Sequence, residues 1–103
     1  MSSSLTEIVL SYSYLVQDPM PTLARFPNLW ILVLHNRAFL GKQMVCSACG
    51  FCQLRHLRLL KLHELQTLIV EGGAMPKLLS LKIEGCNKLE GLPMLGKGIV
   101  RYQ

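Results

Sequence analysis

The chain contains few aromatic and few charged residues, and it has no long apolar run. Aromatic residues make up 7% of its 103 positions and charged residues 17%, whereas hydrophobic residues make up 50%. Disordered chains combine low hydrophobicity with high net charge, so this composition predicts a folded protein. The longest apolar segment covers residues 29–34, far fewer than the roughly 20 residues that a membrane-spanning helix needs. We expect no membrane span.

Features of secreted proteins are also missing. Met1 is followed by three serines and Leu5, without the basic start and the apolar stretch of roughly 7–15 residues that a signal peptide contains. Asn28, Asn36 and Asn87 do not stand in an Asn-x-Ser/Thr glycosylation acceptor. These absences predict a cytoplasmic protein.

Length and charge limit the organisation of the chain without naming a partner. A chain of 103 residues has room for one domain, so residues 1–103 are expected to form a single domain without a separate catalytic unit. The formal net charge of +5 favours acidic partners through electrostatic steering, but it does not identify one.

Leucine is the residue that the chain has in excess, at 21 positions. A Leu-x-x-Leu-x-Leu pattern, with isoleucine at some positions, begins at Leu5, Leu29, Leu54 and Leu78, so its starts are almost equally spaced. A period of about 24 residues is typical of leucine-rich repeats, in which every unit contributes one short strand and the strands stack into a parallel sheet. The sequence therefore predicts an α/β solenoid of about four repeats.

The predicted solenoid carries its parallel sheet on a concave face and short helices, 3₁₀ turns or loops on a convex face. Residues 21–26 are a candidate helix, because proline suits a first helical position. Terminal repeats usually have polar caps, but Leu5 opens a repeat near the start of the chain and residues 93–103 complete no further unit. We therefore expect a fragment of a longer solenoid.

Alternate residues of a strand face opposite sides of a sheet, so the pattern separates core positions from surface positions. The inward pairs are predicted to be Ile8 and Leu10, Leu32 and Leu34, Leu57 and Leu59, and Leu81 and Ile83. The residues beside and between them would project from the concave face, where solenoids bind extended partners. The candidate binding residues there are Trp30, Ile31, Val33, His35, Arg55, His56, Arg58, Lys61, Lys82 and Glu84. In an alternative interpretation, Trp30 packs between repeats and the basic residues contact only solvent.

Three segments of the chain resemble a known family. They are DPMPTLARFPNLWILVL (18–34), GKQMVCSACGFCQLRHLRL (41–59) and EGGAMPKLLSLKIEGCNKLEGLP (71–93). All three resemble the leucine-rich repeats of plant intracellular disease-resistance proteins, which are nucleotide-binding leucine-rich-repeat receptors with a coiled-coil start. The resemblance implies repeats that sense pathogen-derived proteins and restrain a nucleotide-binding module. The coiled coil and that module do not occur in this sequence, so the resemblance does not assign nucleotide hydrolysis to it.

Cys46, Cys49 and Cys52 have the two-residue spacing of thiolates in zinc and iron–sulfur sites, and Cys86 offers a fourth sulfur. In the repeat frame, residues 46–52 lie on the loop before the third strand, whereas Cys86 lies past the fourth. These places are separated by roughly a strand length of 17–20 Å, whereas zinc–sulfur bonds measure about 2.3 Å. Loop packing or free thiols are favoured, and a small Cys-rich zinc or iron–sulfur domain is kept as the alternative function.

Two further patterns do not support catalysis. Residues 91–98 fit Gly-x-x-x-x-Gly-Lys, but a phosphate-binding loop also needs Ser or Thr after Lys97 and a following helix. Gly98 stands there instead, and only five residues follow it. His35, His56 and His63 have no nucleophile or paired carboxylate at a recognisable spacing. We expect neither enzymatic activity nor a cofactor.

The sequence thus favours a protein-recognition module, and the resemblance implies a role in plant defence. The resemblance also implies the class of partner, which is a pathogen effector, a guarded host protein or the nucleotide-binding module of the receptor. Nucleic-acid binding through the net charge of +5 is disfavoured, because the basic residues lack interleaved exposed aromatics and a groove-reading motif.

Overall fold

The computed structural model of the chain describes residues 5–90 and the backbone of residues 100–102. Within this part, the main sheet contains β1 (Glu7–Ser11), β2 (Ile31–His35), β4 (His56–Leu60), β6 (Ser80–Glu84) and β7 (Val100–Tyr102), which are parallel and adjacent in that order. A second parallel sheet pairs β3 (Gln43–Cys46) with β5 (Thr67–Val70), and a short helix, α1 (Met20–Leu23), precedes β2.

The register of the main sheet follows the leucine pattern. Glu7 pairs with Ile31, Ile31 with His56, and His56 with Ser80, so the first four strands are offset from one another by one period of the pattern. The inward side chains of β2, β4 and β6 are 0% exposed, namely Leu32, Leu34, Leu57, Leu59, Leu81 and Ile83. Burial of each such side chain contributes roughly 1.5–3 kcal/mol. The predicted leucine-rich-repeat solenoid is confirmed.

The first repeat is buried less completely than the others. Ile8 and Leu10 are only partly buried, and Leu5 is exposed. Because β1 has a neighbouring strand on one side only, its inward residues have packing partners on that side alone.

Each of the first four strands of the main sheet is followed by a residue with a left-handed backbone. The φ angle is 54° at Tyr12, 55° at Asn36, 57° at Lys61 and 71° at Gly85. The turns are linked through the backbone, since the amide of Lys61 donates to the carbonyl of Glu84 at 2.7 Å. This conformation costs most residues about 1–2 kcal/mol, so the stacking of repeats imposes the turn at Tyr12 and Lys61.

The segments that return from one main-sheet strand to the next differ between repeats. In the first return segment, helix α1 begins at Met20, has Pro21 in its first turn and ends at Leu23. The helix is shorter than the segment 21–26 in which a helix is predicted. In the second and third, β3 and β5 pair side by side, although the repeat pattern predicts only helices, turns or loops there. The alternation of buried Met44 and Cys46 with half-buried Val45 explains why a strand forms.

The chain also contributes a fifth strand to the main sheet. Val100 pairs with Leu81 and Tyr102 with Ile83, although the leucine pattern predicts no further unit after residue 93. Val100 follows its partner Leu81 by fewer residues than one period of the leucine pattern. A strand therefore forms without a full repeat.

Candidate interaction surface

The outward side chains of the main sheet form three rows across its strands. The register places Glu7, Ile31, His56 and Ser80 in the first row, Val9, Val33, Arg58 and Lys82 in the second, and Ser11, His35, Leu60 and Glu84 in the third. Neighbouring strands are about 4.8 Å apart, so each row is a continuous line of side chains.

A fourth row lies one residue before the strands. The amide of Trp30 donates to the carbonyl of Thr6 at 2.7 Å, that of Arg55 to Trp30 at 2.8 Å, and that of Leu79 to Arg55 at 2.7 Å. These bonds place Thr6, Trp30, Arg55 and Leu79 at equivalent positions of successive repeats, and we call them the leading row. Trp30 is 47% exposed and Leu79 50% exposed, so this row presents apolar surface on both sides of an arginine.

Arg55 stacks on Trp30. Its guanidinium carbon lies 4.5 Å from the centroid of the indole ring, within the range of a cation–π interaction worth about 0.5–2 kcal/mol. Its Nε is buried and finds no hydrogen-bond partner in the described part of the chain. The ring of Trp30 therefore packs against Arg55 of the next repeat and still exposes 47% of its surface, and its role in binding stays a prediction.

The positive charges of this surface are unevenly neutralised. Lys82 lies 3.6 Å from the carboxylate of Glu84. Among residues 5–90, neither Arg55 nor the exposed Arg58 forms an ion pair. Two unpaired guanidinium groups therefore belong to the third repeat, at and just before β4.

Nine of the ten predicted binding residues lie in these four rows. Lys61 does not, because it occupies the left-handed turn after β4, where its Cγ lies close to Gly85. The surface also includes Leu79, which is not among the predicted binding residues. The spacing of Trp30, Arg55 and Leu79, which matches the leucine period, is the signal that identifies the leading row.

Two of the three histidines contact neighbouring polar side chains. His56 Nδ1 lies 2.8 Å from the hydroxyl of Ser80, on the adjacent strand β6. His35 Nδ1 lies 2.6 Å from the side-chain amide nitrogen of Asn36. His63 is half-buried outside the rows.

The four cysteines are divided between core and surface. Cys46, which lies on β3 rather than on a loop, and Cys86 are buried, whereas Cys49 and Cys52 are exposed. Burial, followed by the nearby charge of Asp18, raises the pKa of Cys46 to about 12. Burial also raises the pKa of Cys86, whose thiol donates to the carbonyl of Leu59 at 3.5 Å. Within residues 5–90, no three His, Cys, Asp or Glu side chains are grouped so that they could hold a metal ion.

One concavity lies beside the first repeat, away from the rows. Its volume is about 310 Å³, and it is lined by Leu10, Leu15, Gln17, Asp18, Pro19, Thr22 and Leu23. Asp18 is engaged in the fold, since its carboxylate accepts hydrogen bonds from the amides of Met20 and Val45. Asp18 therefore has a structural role at the edge of this concavity.

Two sequence predictions concern other parts of the chain. The Gly-Lys pattern at residues 91–98 lies outside the described residues. None of the helices in the described part has the length and apolar character that crossing a membrane would require.

The stacked parallel strands, the leucine core and the regular offset between strands define the class of protein as leucine-rich-repeat. Neither a protein-family model nor a solved structure matches the chain.

Within this class, the chain is similar over most of its length to plant disease-resistance proteins of Arabidopsis thaliana. It is 47% identical over 93 residues to Probable disease resistance protein RF9 and 44% identical over 89 residues to Disease resistance protein RPP8. These matches cover 90% and 86% of this chain, but only 9% and 10% of the two relatives. Disease susceptibility protein LOV1 is 44% identical over 86 residues, which are 84% of this chain and 10% of that protein. The predicted resemblance to plant disease-resistance proteins is confirmed, and the chain spans about a tenth of the length of these relatives.

Proposed function

We propose that the chain is a non-enzymatic protein-recognition module that acts in plant defence, in the cytoplasm, as part of the repeat region of a disease-resistance protein. The observation that carries the proposal is the leading row, in which Trp30 stacks on Arg55 and remains 47% exposed. Tryptophan and arginine are among the residues most enriched as energetic anchors of protein interfaces.

The relatives support the defence role. RF9 and RPP8 are named disease resistance proteins, and LOV1 is named a disease susceptibility protein. Because the chain spans about a tenth of their length, its role and its partner belong to the proposal. The partner is a protein, namely a pathogen effector, a guarded host protein or a nucleotide-binding module of such a receptor.

The proposal is tested by comparing two charge reversals. Arg58→Glu changes the second row of the main sheet, whereas Lys42→Glu makes the same change at an exposed position before β3. The tagged full chain and its variants would be used to recover proteins from Arabidopsis leaf extract. Each protein identified would then be purified, and its affinity measured by calorimetry.

We expect at least one plant protein to bind the wild type and Lys42→Glu equally and to bind Arg58→Glu at least about tenfold more weakly, as expected for loss of a charged contact. Equal binding of every recovered protein by both variants would contradict recognition through this surface.

The alternative, a Cys-rich metal-binding domain, makes a different prediction. It requires stoichiometric zinc or iron in the purified protein, although Cys46 and Cys86 are buried and Cys49 and Cys52 are exposed. We expect less than about 0.1 equivalent of either metal by mass spectrometry, because no set of ligands that a zinc or iron–sulfur site needs is grouped in residues 5–90. One equivalent would support the alternative.

A further inference from the structure

We propose that Arg55 and Arg58 form a binding site for an acidic peptide segment, with Trp30 and Leu79 receiving an apolar side chain next to the bound carboxylate. This inference rests on the proposed function and narrows the partner to a protein that presents Asp or Glu beside an aliphatic or aromatic residue in an extended segment.

The side chain of Arg55 is preorganised to bind a carboxylate. Stacking on Trp30 holds its guanidinium group 4.5 Å from the ring centroid, so less side-chain freedom is lost when a ligand binds. Its Nε is buried and has no hydrogen-bond partner within residues 5–90, so a ligand would contact the two terminal nitrogens of the guanidinium group. A carboxylate fits this group, because guanidinium and carboxylate can form two parallel hydrogen bonds.

The neighbours of Arg55 favour a ligand with apolar side chains. Trp30 and Leu79 lie one strand away on either side of it, at about 4.8 Å per strand, and both are roughly half exposed. A ligand that covers them would exclude water from the ion pair, which strengthens the electrostatic attraction. A carboxylate alone would leave the apolar surface of Trp30 and Leu79 exposed. The site therefore favours an acidic residue with an apolar neighbour.

Arg58 provides a second cationic position. It lies three residues after Arg55, at an exposed position in the middle of β4. Lys82, its neighbour in the second row, is already paired with Glu84 at 3.6 Å. Glu84 also places a negative charge in the third row, where it repels acidic ligands. The favourable region for a carboxylate is therefore limited to the leading row and the second row.

The test begins with a library that is not biased toward charge. Random short peptides displayed on phage would be selected on the immobilised full chain, and individual peptides would be synthesised with a fluorescent label. Their affinity for the wild type, Arg55→Gln, Arg58→Gln and the control Arg25→Gln would be measured by fluorescence polarisation. Arg25 is an exposed arginine that lies outside the four rows.

We expect the selected peptides to be enriched in Asp or Glu next to Leu, Ile, Phe or Trp. Their affinity should fall about tenfold in Arg55→Gln and in Arg58→Gln, as expected for loss of a charge-assisted hydrogen bond, and it should be unchanged in Arg25→Gln. Binding should also weaken as salt is raised, because the ion pair at the exposed Arg58 is screened. Arg55→Lys, which keeps the charge but not the planar group, should bind more weakly than the wild type.

Circular dichroism and the melting temperature of each variant would show whether it is folded. If Arg55→Gln does not fold, the peptide affinities of Arg58→Gln and Arg55→Lys decide the test. Selection of peptides without acidic residues, or no loss of affinity in these variants, would overturn the acidic-peptide site. If the acidic-peptide site is overturned, a plant protein that binds Arg58→Glu more weakly than the wild type would still support the proposed recognition function.

A nucleic acid is the other ligand that guanidinium groups could bind. Tighter binding of a short single-stranded DNA than of the selected peptides at physiological salt would also overturn the site, because the ligand would then be a phosphate backbone.

Discussion

The carboxylate of Asp18 accepts a hydrogen bond from the amide of Val45 at 2.8 Å, although the two residues are 27 positions apart. Its other oxygen accepts from the amide of Met20 at 2.9 Å. One side chain therefore joins the first turn of α1 to β3. Both elements belong to the return segments, which have no leucine motif.

Replacing Asp18 with Asn should destabilise the protein. Asparagine has one acceptor oxygen and one donor group, so it would satisfy one of the two amides and direct an N–H at the other. We expect the free energy of unfolding, measured in urea by circular dichroism, to fall by about 1–2 kcal/mol. Glu71→Gln is the matched control, because Glu71 accepts from the amide of Ala48 at 2.9 Å on the exposed surface. That change should cost less than about 0.5 kcal/mol, and equal effects would contradict the bridging role of Asp18.

A second prediction concerns the left-handed turn after β6. Gly85 has a φ angle of 71°, and a Cβ atom there would lie 3.1 Å from Lys61 Cγ. Gly85→Ala should therefore lower the free energy of unfolding by about 1–2 kcal/mol, which thermal unfolding would measure. Gly72→Ala is the control, because a Cβ at Gly72 meets nothing within 4 Å and its backbone is not left-handed. A loss of stability in Gly72→Ala as large as in Gly85→Ala would show that the turn is not the cause.

The leucine periodicity predicts the main sheet because the leucines of the pattern occupy its buried positions. Leu57 and Leu59 are fully buried while Arg58 between them is exposed, and the alternation of faces along a strand is sufficient to assign these positions. The regular step between repeats then predicts which strands are neighbours. The same alternation places seven of the ten candidate residues in the three rows of the strands, because their positions follow from the backbone alone.

Other features depend on contacts that no spacing records. The pairing of β3 with β5 depends on Met44 and Leu68 reaching the core from return segments, which have no leucine motif. The stacking of Arg55 on Trp30 depends on two side-chain conformations. The strand β7 is closer in sequence to its partner than the other main-sheet strands are to theirs, as the pairing of Leu81 with Val100 shows, so a search for a fixed period does not find it.

The register of β4 can be tested with adjacent residues. Leu57→Ala removes a side chain that is 0% exposed, and it should lower the free energy of unfolding by about 2–5 kcal/mol through lost burial and a residual cavity. Arg58→Ala changes an exposed position and should alter stability by less than about 0.5 kcal/mol. Urea unfolding of both variants would measure the difference, and equal losses would contradict the assignment of Leu57 to the core.

The thiols should differ in reactivity. Cys49 and Cys52 are exposed, whereas Cys46 and Cys86 are buried, and only the thiolate attacks a disulfide reagent. We expect a coloured aromatic disulfide at about pH 8 to label two thiols per folded chain rapidly and all four after unfolding in urea. Cys49→Ser and Cys52→Ser should each remove one rapid equivalent. Rapid labelling of four thiols in the folded protein would contradict the burial of Cys46 and Cys86.

Stability should decrease at alkaline pH because of the buried thiol of Cys46. Its pKa is about 12 in the folded chain, against an ordinary value of 9.0. Above this ordinary value the unfolded chain therefore loses the proton first, and ionisation stabilises the unfolded state. The contribution of the neutral thiol is complete below about pH 9 and is lost as pH rises toward about 12, at up to about 1.4 kcal/mol per pH unit.

Urea unfolding between about pH 8 and about pH 10.5 would measure this loss, because the interval spans the ordinary thiol pKa. The decrease in stability should be smaller in Cys46→Val than in the wild type, while Cys52→Val, at an exposed position, should behave as the wild type. Identical pH dependence in the wild type and Cys46→Val would show that Cys46 ionises equally in both states.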